Sequence, residues 1–404
     1  MRVLFADSLG SSTVTELEAR GHECVVEPTL QAGDLAGRIP GFDVLVVRST
    51  KVGAEVFESG DKLALVIRAG AGTNTIDTAT AAARGVLVAN LPGRNAIAVA
   101  ELTMGLLLAV DRHIVDATVD LRAGRWDKKR YSAARGLFGS TMGILGLGSI
   151  GLEVAQRARA FGMHVLVLAK PDRSARTLAR LDEMRVGTVD SLEELLPACD
   201  VVSLHLPSNA DTAGLVDRKF LAQMKPGAVL LNTSRGELVD EAALLEALEE
   251  RDLRAGLDVY ADEPGSGQAE WTSRLAQHPR VVGTHHIGAS TQQAQDAIAD
   301  GVVEIVDAFV RGEPPHCVNL TPSRIGTATL TVRHLDRVGV LARVLDLLSR
   351  HGLNVEQMQN RVFRGGEAAV ATMDVAGATT DDLLAELAAL PDVLGVSSTT
   401  IDDA

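Results

Sequence analysis

The sequence predicts an α/β protein: two successive parallel-sheet units followed by a small C-terminal module of order βαββαβ. Three observations carry this. Short β-branched runs alternate with helical patterns up to about residue 310. Midway, an apolar run enters the turn Gly146-Leu147-Gly148-Ser149-Ile150-Gly151 and leaves it as a helical pattern. Composition then changes over Arg311–Thr327, which carries three prolines and no periodicity, and the pattern restarts in a different order.

In the first unit the runs Arg2–Ala6, Asp43–Val47, Leu63–Arg68 and Gly85–Ala89 read as strands with helices between them. One long helix rich in Ala, Leu and Val is expected over Ala96–Arg122, then a glycine-containing basic stretch over Ala123–Gly139. The second unit opens with a strand at Met142–Leu145, the glycine turn, and a helix over Leu152–Phe161. Val165–Leu168, Val201–Leu206, Ala228–Leu231, Ala255–Val259 and Arg280–Gly283 supply five further strands. Ser191-Leu192-Glu193-Glu194 is a capping box that opens the helix before Val201. A linker is placed at 314–327. Beyond it come a strand at Ala328–Arg333 and an amphipathic helix over Val338–His351, with Leu341, Val344, Leu345 and Leu348 on one face. Strands at Asn354–Val362 and Ala368–Val375, a helix at Asp381–Leu390 and a strand at Val393–Thr399 complete a ferredoxin-like module over 328–404.

The chain has 404 residues, 46% of them hydrophobic, enough for more than one core and too many for disorder. Its 39 Lys+Arg against 53 Asp+Glu leave a net charge of −14, which argues against a nucleic-acid partner. No apolar run approaches the ~20 residues of a membrane span, and the N-terminus turns acidic at Asp7 where a signal peptide stays apolar. Cys24, Cys199 and Cys317 are too few and too far apart for a disulfide framework or a zinc site. A soluble cytoplasmic protein without metal, membrane or nucleic-acid contacts is expected.

The glycine turn matches a dinucleotide-binding fingerprint. Gly146 permits the tight turn, Gly148 a close approach of pyrophosphate, and Gly151 close helix packing, while the helix N-terminus offers free N–H groups. The acid expected after the next strand, for the ribose 2′-hydroxyl, is replaced by Ala169-Lys170. Lys170, Arg173 and Arg176 either receive a 2′-phosphate or are solvated charges beside Asp172, which leaves NAD and NADP both open. Three later groups each follow a strand: Asn232–Gly236, Asp258–Pro264 and Thr284–Thr291. Strand ends are where open α/β sheets bind ligands. An arginine, a glutamate and a histidine meeting there suit hydroxy-acid redox chemistry. The arginine grips a carboxylate and polarises a carbonyl, the histidine moves a proton, and the glutamate orients and charges the imidazole.

With these motifs the chain resembles the D-isomer-specific 2-hydroxyacid dehydrogenases, most closely the branch that oxidises 3-phospho-D-glycerate. Arg68-Ala69-Gly70-Ala71-Gly72, Gly146–Gly151, Asn232–Gly236 and His286-Ile287-Gly288 carry the resemblance. It implies Arg235, Glu263 and His286 as the catalytic set, with His285 standing where the family has proline. It implies Gly146, Gly148, Ser149, Ile150, Gly151, Lys170, Pro207, Thr212, Thr233, Asp258 and Gly288 at the cofactor, Asp258 toward the nicotinamide carboxamide. Ala71 and Gly72 would meet the substrate carboxylate, Arg48 and Ser49 its phosphate, and Asn95 another polar group. The family architecture implies two Rossmann-like parallel-sheet domains. A discontinuous flavodoxin-like substrate domain (1–97 and 284–313) would flank a dinucleotide-binding domain (98–283).

The basic run Trp126-Asp127-Lys128-Lys129-Arg130 is either a solvated loop or, through Lys128, an arm that reaches a neighbouring subunit's cleft. The resemblance implies a homodimer or homotetramer. The C-terminal module resembles an ACT domain, in which His334, Asp336 and Asn354 would meet an amino-acid effector such as L-serine between paired modules; a purely oligomerising module is the alternative. The activity implied is NAD(P)-dependent oxidation of 3-phospho-D-glycerate to 3-phosphohydroxypyruvate, the first step of L-serine synthesis. An NADPH-dependent hydroxypyruvate or glyoxylate reductase and a cofactor-sensing regulator are the competing readings.

Overall fold

The computed structural model describes residues 1–264, 268–313, 317–321 and 326–401. Two units emerge, Met1–Asn319 and Leu320–Ala404. Part of the expected linker, 314–316 and 322–325, lies outside the described residues, as do 402–404.

The first sheet contains β1 (Arg2–Phe5), β2 (Glu23–Val26), β3 (Val44–Val47), β4 (Leu65–Arg68) and β5 (Leu87–Asn90). All five are parallel, in the order β2-β1-β3-β4-β5. The chain runs from β1 outward to β2 and then returns to β3, so the direction of winding switches between β1 and β3. Val3, Leu4, Phe5 and all of Val44–Val47 are buried, as the continuous apolar runs demand of a parallel sheet covered on both faces. One face packs on Leu35, Val56, Phe57 and Ala81 from three short helices. The other takes Leu17 and, from helix Gln292–Val310, Ile298, Val302, Ile305 and Val306. Thr291 opens that long helix by accepting the Ala294 N–H at 3.1 Å. The tail beyond it clips the free edge of β5. Val318 N donates to Val88 O at 2.8 Å, and the Asn319 side chain bonds Val88 N at 2.9 Å and Val86 O at 2.7 Å.

The second sheet contains β6 (Thr141–Leu145), β7 (His164–Leu168), β8 (Gly187–Val189), β9 (Val201–Leu204), β10 (Val229–Asn232), β11 (Arg254–Leu257) and β12 (Val281–Gly283). Its order is β12-β11-β10-β9-β6-β7-β8, all parallel. Counted from β6, the first six strands follow the dinucleotide-binding order 3-2-1-4-5-6 with a seventh added at one edge. The switch lies between β6 and β9, and the glycine turn leaves the carboxyl end of β6.

The C-terminal unit is an antiparallel sheet of β13 (Ala328–Leu335), β14 (Asn354–Val362), β15 (Ala368–Ala376) and β16 (Val393–Thr400), ordered β14-β15-β13-β16. Helices Val340–Arg350 and Asp381–Ala389 cover one face through Val344, Leu347, Leu348, Leu383 and Leu387.

The structure departs from the sequence reading at identifiable points. β2 and β8 were not expected, because both are short edge strands with partly exposed residues and an apolar run of three residues at most. The long helix is two, Ala96–Asp111 and Ile114–Arg122, broken where His113 takes the left-handed conformation at φ 52°. The helix after the glycine turn begins at Ser149, so Gly151 lies inside its first turn. At Ser191 half the capping box forms: Ser191 Oγ accepts the Glu194 N–H, but the Glu194 carboxylate takes the N–H of Asp190. Among the described residues no helix is long and apolar enough to cross a membrane.

Gly146 adopts φ 98°, and a methyl group there would lie well inside contact distance of the His205 carbonyl oxygen, which is backbone and cannot yield. Gly146→Ala is therefore expected to lower the melting temperature of the ligand-free protein by about 3 °C, from overpacking of ~2 kcal/mol. An unchanged melting curve would show that the turn relaxes.

Candidate active site

Parallel register determines where the site forms. Asn232 pairs with Leu257 and Leu257 with Gly283, so β10, β11 and β12 end level and their following loops lie side by side. Backbone bonds lace them: Asp258 N donates to Asn232 O at 2.9 Å, Thr284 N to Leu257 O at 2.9 Å, and His286 N to Asp258 O at 2.8 Å.

Asp258 is buried, and its carboxylate holds the histidine loop. Oδ1 accepts the Thr284 hydroxyl at 2.6 Å and Ile287 N at 2.8 Å; Oδ2 accepts Gly288 N at 2.8 Å. These bonds stabilise His286 at φ 53°, a left-handed conformation that costs a non-glycine residue ~1 kcal/mol or more. The imidazole Nδ1 lies 2.6 Å from Glu263 Oε1. A carboxylate only accepts, so Nδ1 carries the hydrogen and Nε2 of the neutral ring keeps its lone pair. Glu263 is itself carried on a braced segment. Trp271 donates its indole N–H to Asp262 O at 2.9 Å and meets the Tyr260 ring edge-on at 4.9 Å. The hydrogen bond to Glu263 raises the His286 pKa above its ordinary 6.5, against an opposing effect of burial and of Arg235.

Arg235 is set by the turn before it. Asn232 Oδ1 accepts both the N–H and the hydroxyl of Ser234, and Asn232 Nδ2 donates to Arg235 O at 2.8 Å. The guanidinium extends over the loop after β4. A methyl on Gly72 would sit 2.6 Å from Arg235 Nη2, so the guanidinium packs directly against the backbone there and a side chain would have to push it aside.

A cleft of about 460 Å³ opens at these strand ends. Of the residues singled out in the sequence, Arg48, Ser49, Ala71, Gly72 and Asn95 line it from the first sheet's side. Ile150, Pro207, Thr233, Arg235, Asp258, His286 and Gly288 line it from the other. Glu263 stands behind His286. Thr212 braces the wall from outside, its hydroxyl donating to Pro207 O at 2.6 Å. Gly148, Ser149 and Gly151 form the turn and first helical residues beside Ile150. Gly146 lines a second hollow of about 140 Å³ with Leu168, Arg173 and Leu215, and Leu206 is a wall of both. Lys170 is exposed and outside both hollows; Arg173 donates to the Leu168 carbonyl. Lys128 and His285 are exposed and do not line the cleft.

Two lining residues carry more weight than the sequence reading gave them. Arg68, at the end of β4, is largely buried beside Arg48 and Arg235. Its pKa falls to about 10, mainly from burial and then from those two like charges. His205 follows β9, bonds Ser203 Oγ at 2.8 Å through Nε2, and is held neutral by burial, with a pKa near about 3. Both stand at the carboxyl end of an apolar strand, Arg68 as the last residue of β4 and His205 directly after β9, and that position is the signal by which the sequence could have marked them.

The cleft suits a dinucleotide. Asn95 Oδ1, His205 Nδ1 and Arg68 Nε are buried without hydrogen-bond partners in its wall, and space is open where Gly148 would carry a side chain. Among the described residues no group of three or more His, Cys, Asp or Glu could hold a metal ion.

Within one C-terminal unit the expected effector residues lie at two ends of the sheet. Leu335 pairs with Ala368 and Asn354 with Ala376, which puts His334 and Asp336 at one end of β15 and Asn354 at the other, ~25 Å away. His334 is buried, its ring nitrogens engaged by Leu335 O and Asn360 Oδ1. Asn354 bonds Glu356 at 2.8 Å.

Two segments of the chain match known families. Residues 104–288 match the family "D-isomer specific 2-hydroxyacid dehydrogenase, NAD binding domain", and residues 330–395 the "AHAS small subunit-like ACT domain". The chain is 40% identical to the D-3-phosphoglycerate dehydrogenase of Methanocaldococcus jannaschii over 315 residues, 78% of this chain and 58% of that protein, so it spans little more than half its length. It is 42% identical to the hydroxypyruvate reductase of Thermotoga maritima over 284 residues, 69% of this chain and 89% of that one. The NAD+-bound 3-phosphoglycerate dehydrogenase of Entamoeba histolytica superposes with a TM-score of 0.64 at 28% identity, covering 79% of this chain and 99% of that one.

Because the raised pKa of His286 comes first from Glu263, Glu263→Gln should move its titration, followed by NMR, down toward or below 6.5. The sign for stability follows. The native pair stabilises the fold fully below pH 6.5, and the contribution fades as pH rises through the native pKa, so the variant should lose stability on the acid side only. Identical titrations in the two proteins would remove Glu263 from this role.

Proposed function

The chain belongs to the D-isomer-specific 2-hydroxyacid dehydrogenases, and from that membership we propose that it oxidises 3-phospho-D-glycerate at C2 to 3-phosphohydroxypyruvate. The observation that carries the substrate is the convergence of Arg48, Arg68 and Arg235 on the cleft that His286, backed by Glu263, also lines. One carboxylate needs one arginine; three support a substrate with a second anionic group.

In this reading a bound nicotinamide dinucleotide supplies the hydride acceptor. The Gly146–Gly151 turn, Ile150, Pro207, Thr233 and Gly288 hold it. Asp258 fixes the loop that faces it. Arg173 is engaged by the Leu168 carbonyl rather than turned outward, which supports NAD over NADP. Arg235 and the N–H groups of Ala71 and Gly72 grip the carboxylate, and Arg48, Ser49 and Arg68 the phosphate. His286 Nε2 accepts the C2 hydroxyl proton, and the imidazolium so formed is stabilised by Glu263. Arg235 stabilises the carbonyl oxygen as its charge develops.

Residues 1–97 with 284–313 act as the substrate-binding domain and 98–283 as the dinucleotide-binding domain. A second copy covers the segment 114–139, where Ile114, Val119, Trp126 (81% exposed) and Phe138 (90% exposed) stand in solvent. Lys128 then serves the neighbour's cleft. The ACT module responds to a small amino acid, with Asp336 and Asn354 meeting only across a pair of modules. The free thiols of Cys24, Cys199 and Cys317 support a cytoplasmic setting.

His286→Ala is expected to cut turnover by about a thousandfold or more while NADH fluorescence titration shows unchanged binding; retained turnover would overturn the assignment. A panel crossing NAD and NADP with phosphoglycerate, D-glycerate, hydroxypyruvate and glyoxylate tests the substrate. A higher kcat/KM for the phosphorylated acid is expected, and preference for hydroxypyruvate would instead favour the function of the Thermotoga relative. Calorimetric titration with L-serine should give heat at millimolar concentration, and silence there would reduce the ACT module to an oligomerising one.

A further inference from the structure

We propose that Asp7 is a positioning residue that sets the anion preference of the cleft, holding the Arg48–Thr50 loop on an internal carboxylate so that a substrate phosphate is met by side chains alone. This rests on the phosphorylated-substrate reading above. The placement follows from register: Phe5 pairs with Val46 across β1 and β3, so two residues further on Asp7 comes level with Arg48. A single oxygen, Asp7 Oδ2, then accepts three consecutive backbone N–H groups: Arg48 at 2.6 Å, Ser49 at 3.1 Å and Thr50 at 3.1 Å. Successive amides converging on one point form an anion-binding nest. This one lies at the carboxyl ends of β1 and β3, the switch point of the first sheet, where sheets of this order bind ligands.

Here the nest is filled from within. The same loop turns Arg48 and Ser49 into the cleft wall, where Gln295 Oε1 receives the Arg48 Nη1 hydrogen at 2.8 Å. With its amides engaged by Asp7, the loop offers an incoming dianion the Arg48 guanidinium and the Ser49 hydroxyl, with Arg68 beside them. The Asp7 charge also reaches Arg68 and favours its protonated form, against the repulsion of Arg48 and Arg235. One carboxylate thus fixes the course of the loop and offsets part of the like charge packed around the cleft.

Two variants separate these roles. Asp7→Ala removes the acceptor; Asp7→Asn keeps an oxygen for the same three amides and removes the charge. Asp7→Ala should raise KM for 3-phosphoglycerate about tenfold, the effect of losing charge-assisted hydrogen bonds, and shift KM for D-glycerate and both kcat values less than about twofold. Asp7→Asn should return KM for 3-phosphoglycerate to within about threefold of wild type. Hydrogen exchange read at Ser49 and Thr50 should speed up at least about tenfold in Asp7→Ala and stay near wild type in Asp7→Asn. Equal losses on the two substrates, unchanged exchange, or faster exchange with no change in KM would each overturn the proposal. A wild-type enzyme with no preference for the phosphorylated acid would instead defeat the substrate reading, whereas a wild-type preference that survives in Asp7→Ala would defeat only the role of Asp7.

Discussion

The site hangs on the bonds that the Asp258 carboxylate makes to Thr284, Ile287 and Gly288. Without them the loop after β12 has no reason to hold a left-handed histidine, and Nδ1 of His286 loses its approach to Glu263. A carboxylate buried this deeply is tolerable because both oxygens have donors, two of them backbone N–H groups fixed by the chain itself. The sheet register supplies the rest, since β10, β11 and β12 end level and present their loops to one another.

Charge is the second constraint. Three guanidinium groups share a cleft with little countercharge in its wall, and burial already pulls the Arg68 pKa down. A cleft in that condition favours anionic ligands, because a bound anion relieves both the desolvation and the mutual repulsion of the arginines. Glu263 and Asp7 lie behind the lining side chains that they serve. They act on His286 and on the Arg48 loop without offering negative charge where a substrate carboxylate or phosphate would sit.

Much of this was legible in the sequence where a strong local pattern coincided with a strand end. The glycine turn after Met142–Leu145 and the groups after β10, β11 and β12 could be placed because apolar runs in a parallel sheet stop where the site begins. What escaped was non-periodic or non-local. Glu23–Val26 and Gly187–Val189 pair only at sheet edges and carry an apolar run of three residues at most. His113 breaks a helix with no glycine or proline to announce it. The bonds from Asp7 to the Arg48 loop join residues some forty positions apart, and only the pairing of β1 with β3 reveals them. For the effector residues the motif was visible but the antiparallel register that separates Asn354 from His334 was not.

The tail that follows helix Gln292–Val310 has a consequence for self-association. β5 is the last strand of its sheet, and an uncovered parallel edge recruits strands from other molecules. Val318 and Asn319 take up the hydrogen-bonding groups of Val86 and Val88 and close that edge from within the same chain. The connection toward the C-terminal unit therefore doubles as a guard against edge-to-edge polymerisation. A cut or replacement made upstream of Val318 would free a sticky strand as well as detach a module.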